Sequence, residues 1–200
     1  MMFVLGLTGP SGAGKSLVAK ILAGYGFGVL DADKVARSVV KPGSPCLEAL
    51  KAAFGAQIIR PDGSLDREKL ANVAFSDSAG VSRLNSITHP YIMAQIKKEI
   101  DELRAAGCQK AVLDAPALFE AGADSLCNKI LPVISTKERR HERITQRDGI
   151  TASQADIRIA AQQPNDFYTG RADFVIENNG TEEELTSAVE SLAPSLKLNK

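Results

Sequence analysis

The stretch GPSGAGKS at positions 9–16, entered from the apolar run FVLGLT and followed by LVAKILAG, constrains this chain more than any other feature. It fits G-x-x-x-x-G-K-[ST], a loop whose glycines (Gly9, Gly12 and Gly14) take backbone conformations closed to other residues. Successive N–H groups then converge on phosphate oxygens at the start of a helix. Within such a loop Lys15 reaches the β- and γ-phosphates of a nucleotide and the Ser16 hydroxyl binds Mg²⁺. Both flanks suit the motif, with an apolar strand before it and an amphipathic helix carrying Leu17, Val18, Ile21 and Leu22 after it.

The rest of the composition narrows the setting. A chain of 200 residues, 44% hydrophobic and 24% charged, buries one substantial core, with room for small appended subdomains. Lys+Arg and Asp+Glu each total 24, so the overall charge does not suggest a nucleic-acid binder. Cys46, Cys108 and Cys127 stand far apart, outside any C-x-x-C spacing, which argues against a disulfide framework or a zinc site and for a reducing, cytoplasmic setting. The N-terminal MMFVLGLTG lacks a basic leader and runs straight into the loop, so it reads as a buried strand, and no apolar stretch approaches a membrane span. The expected partner is a small molecule, with no nucleic acid or membrane, for a monomer or small homo-oligomer.

Strand signals alternate with helical ones. Phe3–Thr8, Gly28–Asp31, Lys110–Ala115, Lys129–Ser135 and Asp173–Glu177 read as strands, and their continuous apolar runs suit a parallel sheet flanked by helices, an α/β core. The stretch between the second and third is helical. Its clearest segment is THPYIMAQIKKEIDELRAAG, with Thr88 as cap, Pro90 in the first turn, a stripe of Ile92, Ile96, Ile100 and Leu103, and Gly107 as stop. Between the fourth and fifth strands lies a polar helical segment carrying Arg139, Arg140, Arg143 and Arg147, either a lid over phosphates or a solvated face.

Ligands in open α/β sheets bind beyond the carboxyl ends of the strands. There GVLDAD ends at Asp31 and Asp33, and KAVLDAP at Asp114. A carboxylate so placed holds Mg²⁺ through water, accepts a proton from an attacking hydroxyl, or merely caps a helix.

The order GLTGPSGAGKS, LDADKVARSVVKPGSP, THP, LDAPALFE, an Arg-rich segment and ADFVIENNG resembles the dephospho-CoA kinase family over nearly the whole chain. The resemblance implies a P-loop kinase core with a parallel five-stranded sheet, a helical CoA-binding insertion and a helical lid, transferring the γ-phosphate of ATP to the 3′-hydroxyl of the dephospho-CoA ribose with Mg²⁺. The core is expected at about 1–40, 107–135 and 172–200, the insertion at about 41–106 and the lid at about 136–171. The resemblance implies nucleotide contacts from Ser11, Gly12, Ala13, Gly14, Lys15, Ser16 and Leu17, with Asn178 and Gly180 by the adenine. It makes Asp33 the base, puts Asp31 and Arg37 near the acceptor pocket, and brings Arg143 and Arg147 onto the phosphates. Asp114, from its strand end, is a further acceptor-side candidate, and His89 before Pro90 either helps begin the long helix by a polar contact or lies near the CoA site. Arg140 stands where the family usually has Gln, and Tyr168 where Lys or Arg is usual, with Arg171 a nearby cation.

Guanylate kinases share the loop, but the Thr-Thr-Arg-x-Pro-Arg of their GMP site is absent, and no acceptor motif of uridine-kinase-like enzymes is seen. A GTPase switch needs Asn-Lys-x-Asp, whereas Asn128-Lys129 is followed by Ile130-Leu131.

Overall fold

Strand β1 (Phe3–Thr8) is buried at every position from Val4 to Thr8, as befits a strand covered on both faces. In the computed structural model, which describes residues 2–76, 78–192 and 195–196, four further strands join it: β2 (Gly28–Asp31), β3 (Lys110–Asp114), β4 (Lys129–Ile134) and β5 (Ile176–Glu177). The order is β2-β3-β1-β4-β5 in a five-stranded sheet, with β1 parallel to β3 and β4 and β4 parallel to β5. Helices α1 (Lys15–Gly24), α2 (Ala32–Ser38), α3 (Pro45–Phe54), α4 (Arg67–Phe75) and α5 (Gly80–Ala105) precede β3. Helices α6 (Lys137–Asp148), α7 (Ala152–Ala160) and α8 (Asn165–Thr169) lie between β4 and β5, and α9 (Glu182–Ser191) follows. Among the described residues no helix is long and apolar enough to cross a membrane.

The core joins Leu5 and Leu7 of β1, Val18 and Leu22 of α1, Val112, Leu131 and Val133 of the neighbouring strands, and Leu185 and Val189 of α9. Each such side chain contributes about 1.5–3 kcal/mol when fully buried, so β1 and α1, which bracket the phosphate loop, are firmly anchored. Gly6 keeps β1 close to its cover: a Cβ there would come within 2.8 Å of Cys127 Sγ and 2.9 Å of Leu118 Cδ2.

The chain divides into two compact units, Met1–Leu30 with Leu103–Lys200, and Asp31–Glu102. The second has its own apolar cluster of Val40, Cys46, Leu47, Leu50, Phe54, Ile58, Leu65, Leu70 and Ala74. Residues 193, 194 and 197–200 of the expected core stretch, with 1 and 77, lie outside the described residues.

Two expected boundaries differ by more than one residue. The last strand was expected over Asp173–Glu177 but spans only Ile176–Glu177. The Asp173 carboxylate accepts from Lys129 Nζ at 2.7 Å and Ile130 N at 2.9 Å, and the amides of Asp173 and Phe174 both donate to Ile130 O. That clamp bends the chain before the ladder begins. Helix α5 starts at Gly80, so Pro90 lies inside it rather than in its first turn, and Thr88 Oγ1 donates to Leu84 O at 3.0 Å instead of capping. Leu84 and Ile87 pack on the Val40–Ala74 cluster, and their burial carries the helix through an exposed proline, at the cost of one backbone bond.

Candidate active site

After Thr8 the chain turns through Gly9, Gly12 and Gly14 with φ of 125°, 79° and 106°, all in the left-handed region. Room is scarce as well: a Cβ at Gly12 would lie 2.8 Å from the Arg140 carbonyl oxygen, one at Gly14 would strike Asn178 Nδ2, and one at Gly9 the Val133 carbonyl oxygen. Helix α1 then starts with Gly14 as N-cap, no side-chain cap and no acidic residue in its first turn. By contrast α2, α3, α4, α6, α7 and α9 are capped by Asp31, Ser44, Asp66, Thr136, Thr151 and Thr181. The first N–H groups of α1 therefore present partial positive charge, the condition for holding an anion. Lys15 Nζ curls over the loop, donating to Gly9 O at 2.7 Å and Pro10 O at 3.3 Å.

Helix α6 supplies the other cations. Arg140, Arg143 and Arg147 follow i, i+3, i+7 spacing and so share a face. Arg140 Nε donates to Ser11 O at 3.1 Å. Arg143 Nη1 reaches Asn178 O at 3.0 Å and Gly12 O at 3.4 Å, and its Nη2 reaches Asn178 Oδ1 at 3.2 Å. Arg147 Nη2 meets Ser11 Oγ at 3.4 Å. Burial lowers the pKa of Arg140, against a smaller upward pull from Tyr168; it also lowers that of Arg143, where the Arg139 charge adds to it. Arg147 is shifted upward instead, chiefly by its hydrogen bond to Asp148.

Asn178 is 6% exposed and braces the loop, its Nδ2 donating to Ala13 O at 2.8 Å. Gly180 precedes α9, and a Cβ there would strike Glu184 Oε2, the carboxylate that closes the capping box with Thr181. Asp114 ends β3 in register with Leu7, and Ala115 N donates to Leu7 O at 3.0 Å. It thus stands at the carboxyl edge of the sheet beside the strand that runs into the loop. Ser16 is exposed in the first turn of α1, and Leu17 is half-buried beside it.

The unit Asp31–Glu102 holds the remaining expected residues. Asp31 caps α2, accepting from Lys34 N at 3.0 Å. Asp33 is exposed in the first turn of that helix, Arg37 is exposed in its last, and His89 is half-buried on α5.

Sequence reasoning passed over Gln162 and Ser135. Gln162 Oε1 accepts from Ser11 N at 3.0 Å, and Ser135 Oγ donates to Asn178 O at 2.7 Å. The position of Ser135 just past β4 was its only signal; Gln162 had none. Arg171, the expected substitute cation, lies over the rings of Phe119 and Phe167 at 5.1 and 4.7 Å. Cys46 is buried, and burial, with the Asp124 charge adding, pushes the Cys127 thiol up to about 12. Neither has the character of a reactive thiol.

The comparisons with known proteins agree with this geometry. The family model described as dephospho-CoA kinase matches residues 3–184. A dephospho-CoA kinase of Anaeromyxobacter dehalogenans is 40% identical over 196 residues, covering 98% of this chain and 93% of the relative. Among solved structures, a Thermus thermophilus protein superposes with a TM-score of 0.83 at 31% identity, covering 98% of each chain. A dephospho-CoA kinase from Campylobacter jejuni does so with a TM-score of 0.72 at 25% identity, covering 98% of this chain and 97% of that one. With its phosphate loop at the end of the central strand, this chain belongs to the dephospho-CoA kinase family of ATP-using P-loop kinases.

Proposed function

We propose the following division of labour for the reaction that family membership assigns, the ATP-dependent phosphorylation of dephospho-CoA in coenzyme A synthesis. Ser11 to Leu17 hold the phosphates, and Asn178 and Gly180 border the adenine. Asp31, Arg37, His89 and Asp114 take dephospho-CoA, and Asp33 is the general base. Residues 41–106 form the substrate-binding insertion, 136–171 the lid, and 1–40, 107–135 and 172–200 the core. The reading makes the enzyme cytoplasmic, a monomer or small homo-oligomer, with no nucleic-acid or membrane partner.

The 3′-hydroxyl oxygen attacks the γ-phosphorus, its proton passes to the Asp33 carboxylate, the bond to the β,γ-bridging oxygen breaks, and ADP leaves. Lys15 and Arg143 neutralise charge that spreads over the equatorial oxygens, while loop amides fix the phosphates in line. Closure of the lid excludes water that would otherwise take the phosphoryl group. Among the described residues no group of three or more His, Cys, Asp or Glu is placed to cage a metal. Ser16, exposed in the first turn of α1, would hold Mg²⁺ through its hydroxyl, and the ion would supply charge neutralisation at the phosphates. The observation that carries the reading is the uncapped α1 terminus, with Lys15 and the α6 arginines bonded around the loop that enters it.

Asp33→Asn tests the assignment of the base. Calorimetry should show MgATP bound within a few-fold of wild type, while transfer to dephospho-CoA falls by about 10²-fold or more. Loss of ATP binding together with transfer would move Asp33 to the metal and make Asp31 or Asp114 the base, and unchanged transfer would remove Asp33 from the site.

A further inference from the structure

Two donors at the outer lip of the phosphate loop converge on one oxygen. Ser11 N–H reaches Gln162 Oε1 at 3.0 Å and Arg140 Nη2 reaches the same atom at 2.5 Å, while Arg140 Nε holds Ser11 O at 3.1 Å. Because both neighbours can only donate, the oxygen of the Gln162 amide faces them. Arg140 is 6% exposed, yet the ion pairs of α6 are made by Lys137, Arg139 and Arg147, and among the described residues Arg140 has none. A buried guanidinium held only by neutral oxygens has lost hydration without gaining a counter-charge. An anionic phosphate oxygen is the stronger acceptor for it, since it brings the counter-charge that a neutral amide oxygen lacks. Gln162 lies past the end of α7 and before α8, so its side chain can leave without unwinding a helix.

We propose that Ser11 N–H and Arg140 Nη2 form an oxyanion subsite for a nucleotide phosphate, filled in the free chain by Gln162 Oε1, which a phosphate oxygen displaces. The proposal rests on the phosphate-loop reading above and extends it: Arg140 is a further phosphate-binding cation, and Gln162 is a placeholder that competes with the ligand.

The test is calorimetric titration of wild type, Arg140→Gln and Gln162→Ala with inorganic tripolyphosphate and with MgATP, each variant first shown to be folded by a cooperative thermal transition. Arg140→Gln should weaken binding of both by about 10-fold or more, the loss expected for a hydrogen bond to a charged group. Gln162→Ala should bind both more tightly than wild type, because the competing oxygen is gone. Opposite signs are the signature; a mere structural brace makes both variants weaker. Any combination other than weaker Arg140→Gln with tighter Gln162→Ala overturns the proposal. Should Arg140→Gln fail to fold, Arg140→Lys stands in for it, since a point charge in place of the fork should also weaken binding, and unchanged binding would be equally fatal. Wild-type protein that binds neither ligand would instead show that the phosphate-loop reading has failed.

Discussion

Gly14 meets three demands at one position: a φ of 106°, contact with Asn178 Nδ2 too close for a Cβ, and service as N-cap of a helix with no side-chain cap and no acidic residue in its first turn. Gly14→Ala should therefore lose on the order of 1–3 kcal/mol of stability, read by chemical denaturation, and weaken ATP binding with it. Lys15→Ala separates chemistry from folding. It should lower kcat by about 10²-fold or more and weaken ATP binding, with the cooperative unfolding transition retained; near-normal turnover would remove Lys15 from catalysis. At this scale the conformation of the loop from Gly9 to the start of α1 was legible because the motif is local in sequence. The contacts of Ser11 with Arg140 and Gln162 were not, because they join residues 129 and 151 positions apart and depend on how α6 and α7 pack.

Among the elements, α6 does more than carry exposed charge. Arg143 bonds Asn178 and Gly12, so Arg143→Ala should cost on the order of 1–3 kcal/mol of ligand-free stability as well as turnover. That departs from the behaviour of a solvated surface arginine, whose removal costs little. Denaturation and steady-state kinetics on the same variant check both parts. The helix pair α6 and α7 packs around Ile144, Ala155 and Ile159, and Asp148 joins its ends by pairing with Arg147 and Arg158. Hydrogen bonding from Arg147, then from Arg158, holds the Asp148 carboxyl down at about 2 from its ordinary 3.8. A carboxyl with a depressed folded-state pKa stabilises above its unfolded value and loses that contribution as pH falls through the folded one. Asp148→Asn should thus be less stable than wild type above about pH 4, and the gap in unfolding midpoint should close between about pH 4 and pH 2. A gap that persists below about pH 2 would refute the ion-pair origin. Helix α5 shows why element boundaries were harder to read than element types: Pro90 signals a start, and only the packing of Leu84 and Ile87 on another part of the chain overrides it.

For the whole molecule, four of the five strands lie within a residue of where their apolar runs put them, because a sheet covered on both faces writes its burial directly into sequence. The fifth was overestimated because the Asp173 clamp on Ile130 is invisible until the strands pair. The phosphate-loop motif could be read from one local stretch, whereas the acceptor's identity came from resemblance, since no local chemistry distinguishes one sugar hydroxyl from another. The activity is therefore the claim to measure. Purified protein with MgATP should be tested for ADP release against dephospho-CoA, GMP, AMP, uridine and shikimate, with the phosphorylated product identified by mass. The account predicts strong preference for dephospho-CoA, with one phosphoryl group gained at the ribose 3′-oxygen; preference for any other acceptor in that panel would contradict it.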